Sequence, residues 1–217
     1  TTSAYAVLSV MGPRSRALLS RLTDADLSNS AFPFGTSQVI DLAYARVRAS
    51  RITYVGELGW ELYIPTEFAQ GVFDAIWEEG KTFDLKLAGY HALNSLRLEK
   101  AYRHWGHDIS EEDTPLESGL GFTVAWSKPG GFIGREAVLR QKEGGVRRRL
   151  VHFSLEDPAK LLYHDEPIWR DGKLVGRTTS GMFGHTIGTS LAMGYVENEG
   201  ELVDPKFVLS GNYEIEV

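Results

Sequence analysis

The 217-residue sequence contains no cysteine. Disulfides, thiolate zinc sites and a cysteine nucleophile are therefore excluded, and the absence fits a reducing compartment. No apolar run approaches the roughly 20 residues needed to span a bilayer, and Thr1 to Tyr5 have neither a basic stretch nor a signal-like apolar one. The chain opens without Met, which reads as processing or an artificial boundary. Positive charge is in deficit: the formal net charge is -6. An acidic protein attracts neither nucleic acid nor an anionic membrane, so neither is expected as a partner. The one basic cluster, Arg147-Arg148-Arg149, adjoins an apolar run and reads as a solvated strand entrance.

Several catalytic signatures are also missing. There is no Gly-x-Ser-x-Gly elbow and no phosphate-binding loop. No Gly-x-Gly-x-x-Gly follows a strand, so no flavin or nucleotide domain is expected in this stretch. What is present is ordinary globular material, with 42% hydrophobic and 24% charged residues. The length suffices for one large domain or two small ones with a real core.

Tyr5 to Met11 is β-prone and closed by Gly12-Pro13. Ala17, Leu18, Leu19 and Leu22 then form a short helical stripe. Val39 to Tyr63 reads as strands split by Gly56 and Gly59. Pro65-Thr66 introduces a helix with Phe68, Val72, Phe73, Ile76 and Trp77 on one face, ending at Gly80. A second helix is expected from about Gly89 to Ala101, with Leu93, Leu96 and Leu98 apolar. Residues 102 to 121 are loop-like, and Glu136 to Lys142 form a short helix broken by Gly144-Gly145. From Arg149 onward short strands alternate with turns such as Asp171-Gly172, the pattern of a small β-barrel or sandwich. The expected fold class is α+β, with a first domain over residues 1–145 and a barrel over 146–217. The strands at the two ends lack an obvious partner or cap, so flanking sequence is expected to complete both domains.

One segment is a candidate site. In Ile52-Thr53-Tyr54-Val55-Gly56-Glu57-Leu58-Gly59-Trp60-Glu61-Leu62-Tyr63, two strand-like pieces flank a Gly-x-x-Gly turn, and Tyr54 and Glu61 can converge on one ligand. Glu61 lies between Trp60 and Leu62. A carboxylate in apolar surroundings is costly unless it meets donors, and the pyrimidine edge of a pterin offers a ring N–H beside an exocyclic amine. From periodicity alone, a Glu61 that alternates outward into water is the preferred reading. His104-Trp105-Gly106-His107-Asp108 suggests a metal, but Gly106 argues against a helix and no further ligand motif lies nearby, so no metal is expected. The segment reads instead as a loop lining a cleft.

Taken in order, these segments resemble the glycine cleavage T-protein (aminomethyltransferase) superfamily. The resemblance rests on Thr53 to Leu62, Ser95 to Lys100, Gly106 to Ile109, Thr114 to Leu120, Phe132 to Ala137, Thr179-Ser180-Gly181 and Ala192 to Val196. Within it, Leu27-Ser28-Asn29, Ala31 to Phe34, Val55 to Leu62 and Glu99 to Trp105 look like the C-terminal folate domain of sarcosine and dimethylglycine dehydrogenases. The resemblance implies a tetrahydrofolate-binding module for one-carbon transfer, with Glu61 on the pterin edge and Tyr54 against the folate. This reverses the ranking from periodicity. It further implies FAD only in an N-terminal half outside this chain, and partners limited to folate, a one-carbon unit from an N-methylated amine and that flavin domain. The implied compartment is the cytoplasm for a bacterial parent and the mitochondrial matrix for a eukaryotic one. The family's aspartate near the reacting folate nitrogen would lie upstream, so no catalytic residue is assigned. Leu93 stands where the T-protein has an arginine ligand. Two relatives of other kinds offer alternatives. The regulatory subunit of pyruvate dehydrogenase phosphatase is a non-catalytic alternative. The folate family of transfer-RNA modification is disfavoured, because its cysteine and glutamine are absent near Gly131 to Glu136.

Overall fold

A computed structural model describes residues 2–217, which fall into two compact units, residues 2–90 and His91–Val217. In the first unit the chain runs β1 (Tyr5–Met11), α1 (Ser15–Leu19), β2 (Ser37–Leu42), β3 (Ala45–Ser50), β4 (Gly59–Pro65) and α2 (Ala69–Gly80). The four strands form one antiparallel sheet in the order β1-β4-β3-β2, so β4 is an inner strand. β1, for which the sequence offered no upstream partner, pairs along its whole length with β4.

Period-two alternation decides which face of this sheet is dry. Val10 on β1, Trp60, Leu62 and Ile64 on β4, Ala45, Val47 and Ala49 on β3, and Ile40 and Leu42 on β2 are all buried. They form one core with Leu18 and Leu19 of α1 and Val72 and Ile76 of α2. The alternate residues form an open face: Tyr5, Val7 and Val39 are each about half exposed, and Ser9, Arg46 and Arg48 are exposed.

The strand reading of residues 39 to 63 needs one correction. The chain also turns at Ala43-Tyr44, where Ala43 adopts φ 55° and its N–H donates to the Leu22 carbonyl at 2.6 Å. Left-handed backbone is ordinarily signalled by Gly or Asn, and an alanine gives no such cue.

The second unit opens with α3 (Tyr90–Glu99), followed by an irregular stretch and α4 (Arg135–Gly144). Five antiparallel strands follow, β5 (Arg148–Ser154), β6 (Pro167–Arg170), β7 (Lys173–Gly184), β8 (Thr189–Glu197) and β9 (Tyr213–Ile215), in the order β5-β8-β7-β6-β9. Residues 143–147 link α4 to β5 inside this unit. The β6–β7 hairpin turns at Asp171-Gly172, whose φ values of 51° and 78° are those of the turn that Asp-Gly favours. The chain is thus mixed helix and sheet, with a C-terminal antiparallel sheet.

A short helix, α5 (Pro205–Ser210), interrupts the expected run of strands. Its signal was local: the Asp204 side chain accepts from the Phe207 N–H at 2.7 Å, and Pro205 occupies the first turn. The arginine cluster is not simply solvated. Arg148 pairs with Asp113, lies 3.9 Å from Glu117 and sits 4.6 Å over the Tyr195 ring, and Arg149 donates to the Val203 carbonyl at 3.1 Å.

Gly194 has a steric reason for being glycine. A Cβ there would lie 2.5 Å from the Arg177 carbonyl oxygen, 2.6 Å from Ile168 Cδ1 and 2.9 Å from Thr178 Cα. Two of these neighbours are backbone and cannot swing away. Gly194→Ala is expected to destabilise the β7–β8 pairing by about 1–3 kcal/mol, the usual cost of overpacking. Urea unfolding of wild type and variant checks this, and an unchanged midpoint would show that the strands part easily.

Candidate functional site

Glu61 sits near the middle of β4 on the open face of the first unit's sheet. In the antiparallel registers it stands opposite Ser9 of β1 and Ser50 of β3. Its neighbours in sequence, Trp60 and Leu62, are fully buried on the other face, whereas Glu61 itself is half-buried. The carboxylate is thus held at the surface of a rigid layer by a backbone hydrogen-bonded on both sides. The Tyr63 hydroxyl, two residues along the same face, donates to Glu61 Oε2 at 2.9 Å. This bond is the largest of the causes that raise the Tyr63 phenol above its ordinary value, followed by burial and the Glu61 charge. Among the described residues no cation lies within ion-pair distance of Glu61. One oxygen of an ionised carboxylate here has a neutral donor, and the other keeps its full acceptor capacity.

Tyr54 belongs to the bend over residues 54–58 that leads into β4. The segment is pinned from several sides. Val55 is buried, and the Leu58 carbonyl accepts from the Gly12 N–H at 2.8 Å and from Ser15 Oγ at 2.9 Å. Arg51 donates to the Phe32 carbonyl at 2.7 Å. At its end Gly59 permits a close approach to β1, since a Cβ there would stand 2.6 Å from Met11 Cγ and 2.8 Å from the Val10 carbonyl oxygen. Tyr54 is half-buried in this anchored bend. Glu57 is also half-buried rather than solvated, so the exposed Glu67 is the better reference carboxylate in this region.

The second unit contains a polar centre that sequence reasoning missed. The Arg97 and Asp108 side chains, 4% and 0% exposed, form an ion pair at 2.6 Å. Arg97 also donates to Ser180 Oγ at 2.7 Å and to the Tyr102 carbonyl at 3.1 Å. Asp108 accepts from the His104 backbone N–H at 2.8 Å and from Thr179 Oγ1 at 2.5 Å. Three of the family-like segments therefore meet at one buried pair: Ser95 to Lys100, Gly106 to Ile109 and Thr179-Ser180-Gly181. Thr179 reaches Asp108 from an irregularity in the β7–β8 register between Thr178 and Ser180. Such a bulge re-aims a side chain. A charged residue between Leu96 and Leu98 ordinarily faces water. Here Leu96 is 39% exposed and Arg97 is buried, the reverse of the apolar stripe.

The loop from His104 to Asp108 does not line a cleft through Asp108, which is buried in that network. His104 and His107 stack with ring centroids 4.5 Å apart. Burial, followed by the charges of His107 and Arg97, holds the His104 imidazole below its ordinary value. Among the described residues no group of three or more His, Cys, Asp or Glu is arranged to hold a metal, and no helix is long and apolar enough to cross a membrane.

Comparison with known proteins adds an independent line. Residues 1–128 match the family described as GCVT N-terminal domain, and residues 148–217 match the glycine cleavage T-protein C-terminal barrel domain. The chain is 43% identical over 215 residues to 4-methylaminobutanoate oxidase (formaldehyde-forming) of Paenarthrobacter nicotinovorans, covering 99% of this chain and 25% of that protein. It is 45% identical over 211 residues to the mitochondrial sarcosine dehydrogenase of Homo sapiens, covering 97% and 23%. It is 37% identical over 227 residues to the mitochondrial pyruvate dehydrogenase phosphatase regulatory subunit of Mus musculus, covering 100% and 26%. The chain spans about a quarter of the length of these relatives. Among solved structures, glycine cleavage system aminomethyltransferase T from Bartonella henselae matches with a TM-score of 0.74 and 26% identity, over 89% of this chain and 52% of that one.

Proposed function

The chain belongs to the glycine cleavage T-protein family, and from that premise we propose that it is the tetrahydrofolate-binding, one-carbon-transfer module of a sarcosine or dimethylglycine dehydrogenase-like flavoprotein. In this reading residues 1–145 form the aminomethyltransferase-type domain and 146–217 its barrel. FAD and the oxidation of the N-methylated amine belong to a flavin domain of the same parent protein. The compartment is the cytoplasm in a bacterium and the mitochondrial matrix in a eukaryote.

The observation that carries the proposal is the state of Glu61. Its carboxylate is half-buried on the open face of a rigid inner strand, with one neutral donor on Oε2 and, among the described residues, no cation within ion-pair distance. That is the arrangement expected of a carboxylate that receives two N–H donors from the edge of a flat heterocycle, and a pterin presents such a pair. Tyr54, in the anchored bend before β4, provides a second side of the same site. When bound, tetrahydrofolate supplies a nucleophilic amine that takes up the one-carbon unit. The contribution of this chain is to bind and orient it, which raises the effective concentration of the reacting groups.

Calorimetric titration of tetrahydrofolate into the full-length protein tests the proposal. Glu61→Gln keeps the shape but removes the charge and turns one acceptor into a donor facing a donor. Charge-assisted hydrogen bonds contribute about 1.5–3 kcal/mol each. Affinity is therefore expected to fall roughly tenfold or more, with thermal stability nearly unchanged. Glu67→Gln should bind as wild type. Equal affinity for wild type and Glu61→Gln would make Glu61 an ordinary surface carboxylate.

The non-catalytic alternative has one observation in its favour, the 37% identity to the phosphatase regulatory subunit. It predicts no one-carbon transfer by the full-length protein.

A further inference from the structure

Tyr63 has a role that the tetrahydrofolate reading leaves unassigned. It lies on the same face of β4 as Glu61, opposite Val7 of β1 and Arg48 of β3, and is half-buried. A tyrosine on a half-open face can pack its ring on neighbours and leave the hydroxyl to water. Here the O–H is directed along the strand to Glu61 Oε2 at 2.9 Å, although Arg48, the residue across the strand, is exposed and open to solvent. Both side chains rise from one inner strand whose backbone is fixed by β1 and β3, so their spacing is set by the sheet and not by a mobile loop.

We propose that Tyr63 is the positioning residue of the folate site, holding the Glu61 carboxylate in the plane and rotamer that receive the paired donors of the pterin. The inference rests on the tetrahydrofolate reading of Glu61. A glutamate side chain has several rotatable bonds, and binding through two parallel hydrogen bonds requires all of them to be fixed. The phenol fixes them beforehand through one oxygen. It leaves Oε1 and the second lone pair of Oε2 able to accept further donors, because a hydroxyl occupies only one acceptor position. The arrangement also explains the direction of the tyrosine's own titration. A phenol that donates to a carboxylate loses its proton less readily, and the Tyr63 phenol is indeed held above its ordinary value. Tyr63 therefore stays a donor throughout the neutral range.

A binding cycle on the full-length protein decides the matter. Tetrahydrofolate is titrated calorimetrically into wild type, Tyr63→Phe, Glu61→Gln and the double variant. Tyr63→Phe is expected to weaken binding by about three- to tenfold, the loss of roughly one hydrogen bond's worth of preorganisation, with its thermal midpoint unchanged. In the Glu61→Gln background the same change should cost almost nothing, because Tyr63 acts through Glu61. A merely structural tyrosine would weaken both backgrounds equally, and that result overturns the proposal. So does wild-type affinity in Tyr63→Phe while Glu61→Gln binds poorly, an outcome that leaves the folate reading standing. If the wild type itself binds no tetrahydrofolate, the folate reading fails and the proposal with it. Should Tyr63→Phe lower the thermal midpoint, Tyr63→His restores a donor on a shorter ring. Binding by the histidine variant no tighter than by the phenylalanine one then counts against positioning.

Discussion

Asp108→Ala is expected to destabilise the second unit by about 3–5 kcal/mol, the cost of stranding one charge of a buried pair. The Arg97 guanidinium, 4% exposed in the wild type, would keep Ser180 Oγ, the Tyr102 carbonyl and Asn94 Oδ1 around it but lose the carboxylate it pairs with. The His104 N–H would lose its acceptor at the same time, and Thr179 Oγ1 would keep only a 3.3 Å contact to the Met193 carbonyl. Arg97→Leu should cost a similar amount, since it removes the guanidinium that pairs with the fully buried Asp108 carboxylate. The two changes together should cost much less than their sum, because each removes the burden left by the other. Urea unfolding of the two single variants and the double variant gives the coupling. Simple additivity would mean that the pair contributes little beyond its separate hydrogen bonds. Asp108→Asn should fall between wild type and alanine, as it keeps the shape but loses the charge.

Trp60→Ala is expected to cost the first unit about 3–5 kcal/mol, the range for truncating a large aromatic in a packed core. Trp60 is 0% exposed and meets Phe32 edge-on with centroids 6.1 Å apart. The guanidinium groups of Arg16 and Arg51 each lie 5.8 Å from its ring. Trp60→Phe should be milder than its lost volume implies. Among the described residues Trp60 Nε1 is buried with no hydrogen-bond partner, and leaving a buried donor unpaired carries a penalty of about 1–3 kcal/mol that phenylalanine does not incur. Hydrogen exchange of the β4 amides reports this unit alone. Equal protection loss in the alanine and phenylalanine variants would refute the account of Nε1. Because Glu61 points away from this core, folate affinity of the molecules that remain folded should hardly change in Trp60→Phe.

Most of the regular structure was legible because its cues are local. The stripe from Phe68 to Trp77 marks α2 (Ala69–Gly80), and Gly144-Gly145 closes α4 (Arg135–Gly144). Pro167 to Arg170 coincides with β6, since Asp171-Gly172 fixes where the hairpin must turn. The turn at Ala43-Tyr44 was not legible, because tertiary packing and not residue type holds Ala43 in left-handed backbone. For the candidate site, the sequence picked out Glu61, with periodicity favouring an outward, solvated carboxylate and the family resemblance a ligand-facing one. The carboxylate is half-buried on the open face of the sheet and accepts from Tyr63 two residues on, a contact that period-two alternation alone does not signal. The Arg97–Asp108 centre was illegible for another reason. Its partners are 11 and 83 positions from Arg97, separations set by topology and by a bulge rather than by any helical or strand period.

Odd and even positions of β4 answer to different demands. Trp60, Leu62 and Ile64 are constrained by volume, while Glu61 and Tyr63 face a layer where polarity can change at little cost to packing. On the proposed reading, ligand chemistry on this strand is consequently separable from the integrity of the sheet. A lineage could then abandon or exchange a ligand by rewriting Glu61 and Tyr63 and still inherit an intact scaffold. The same separation lets an engineer recruit that face for a different flat heterocycle, beginning with the positions opposite Glu61, Ser9 and Ser50.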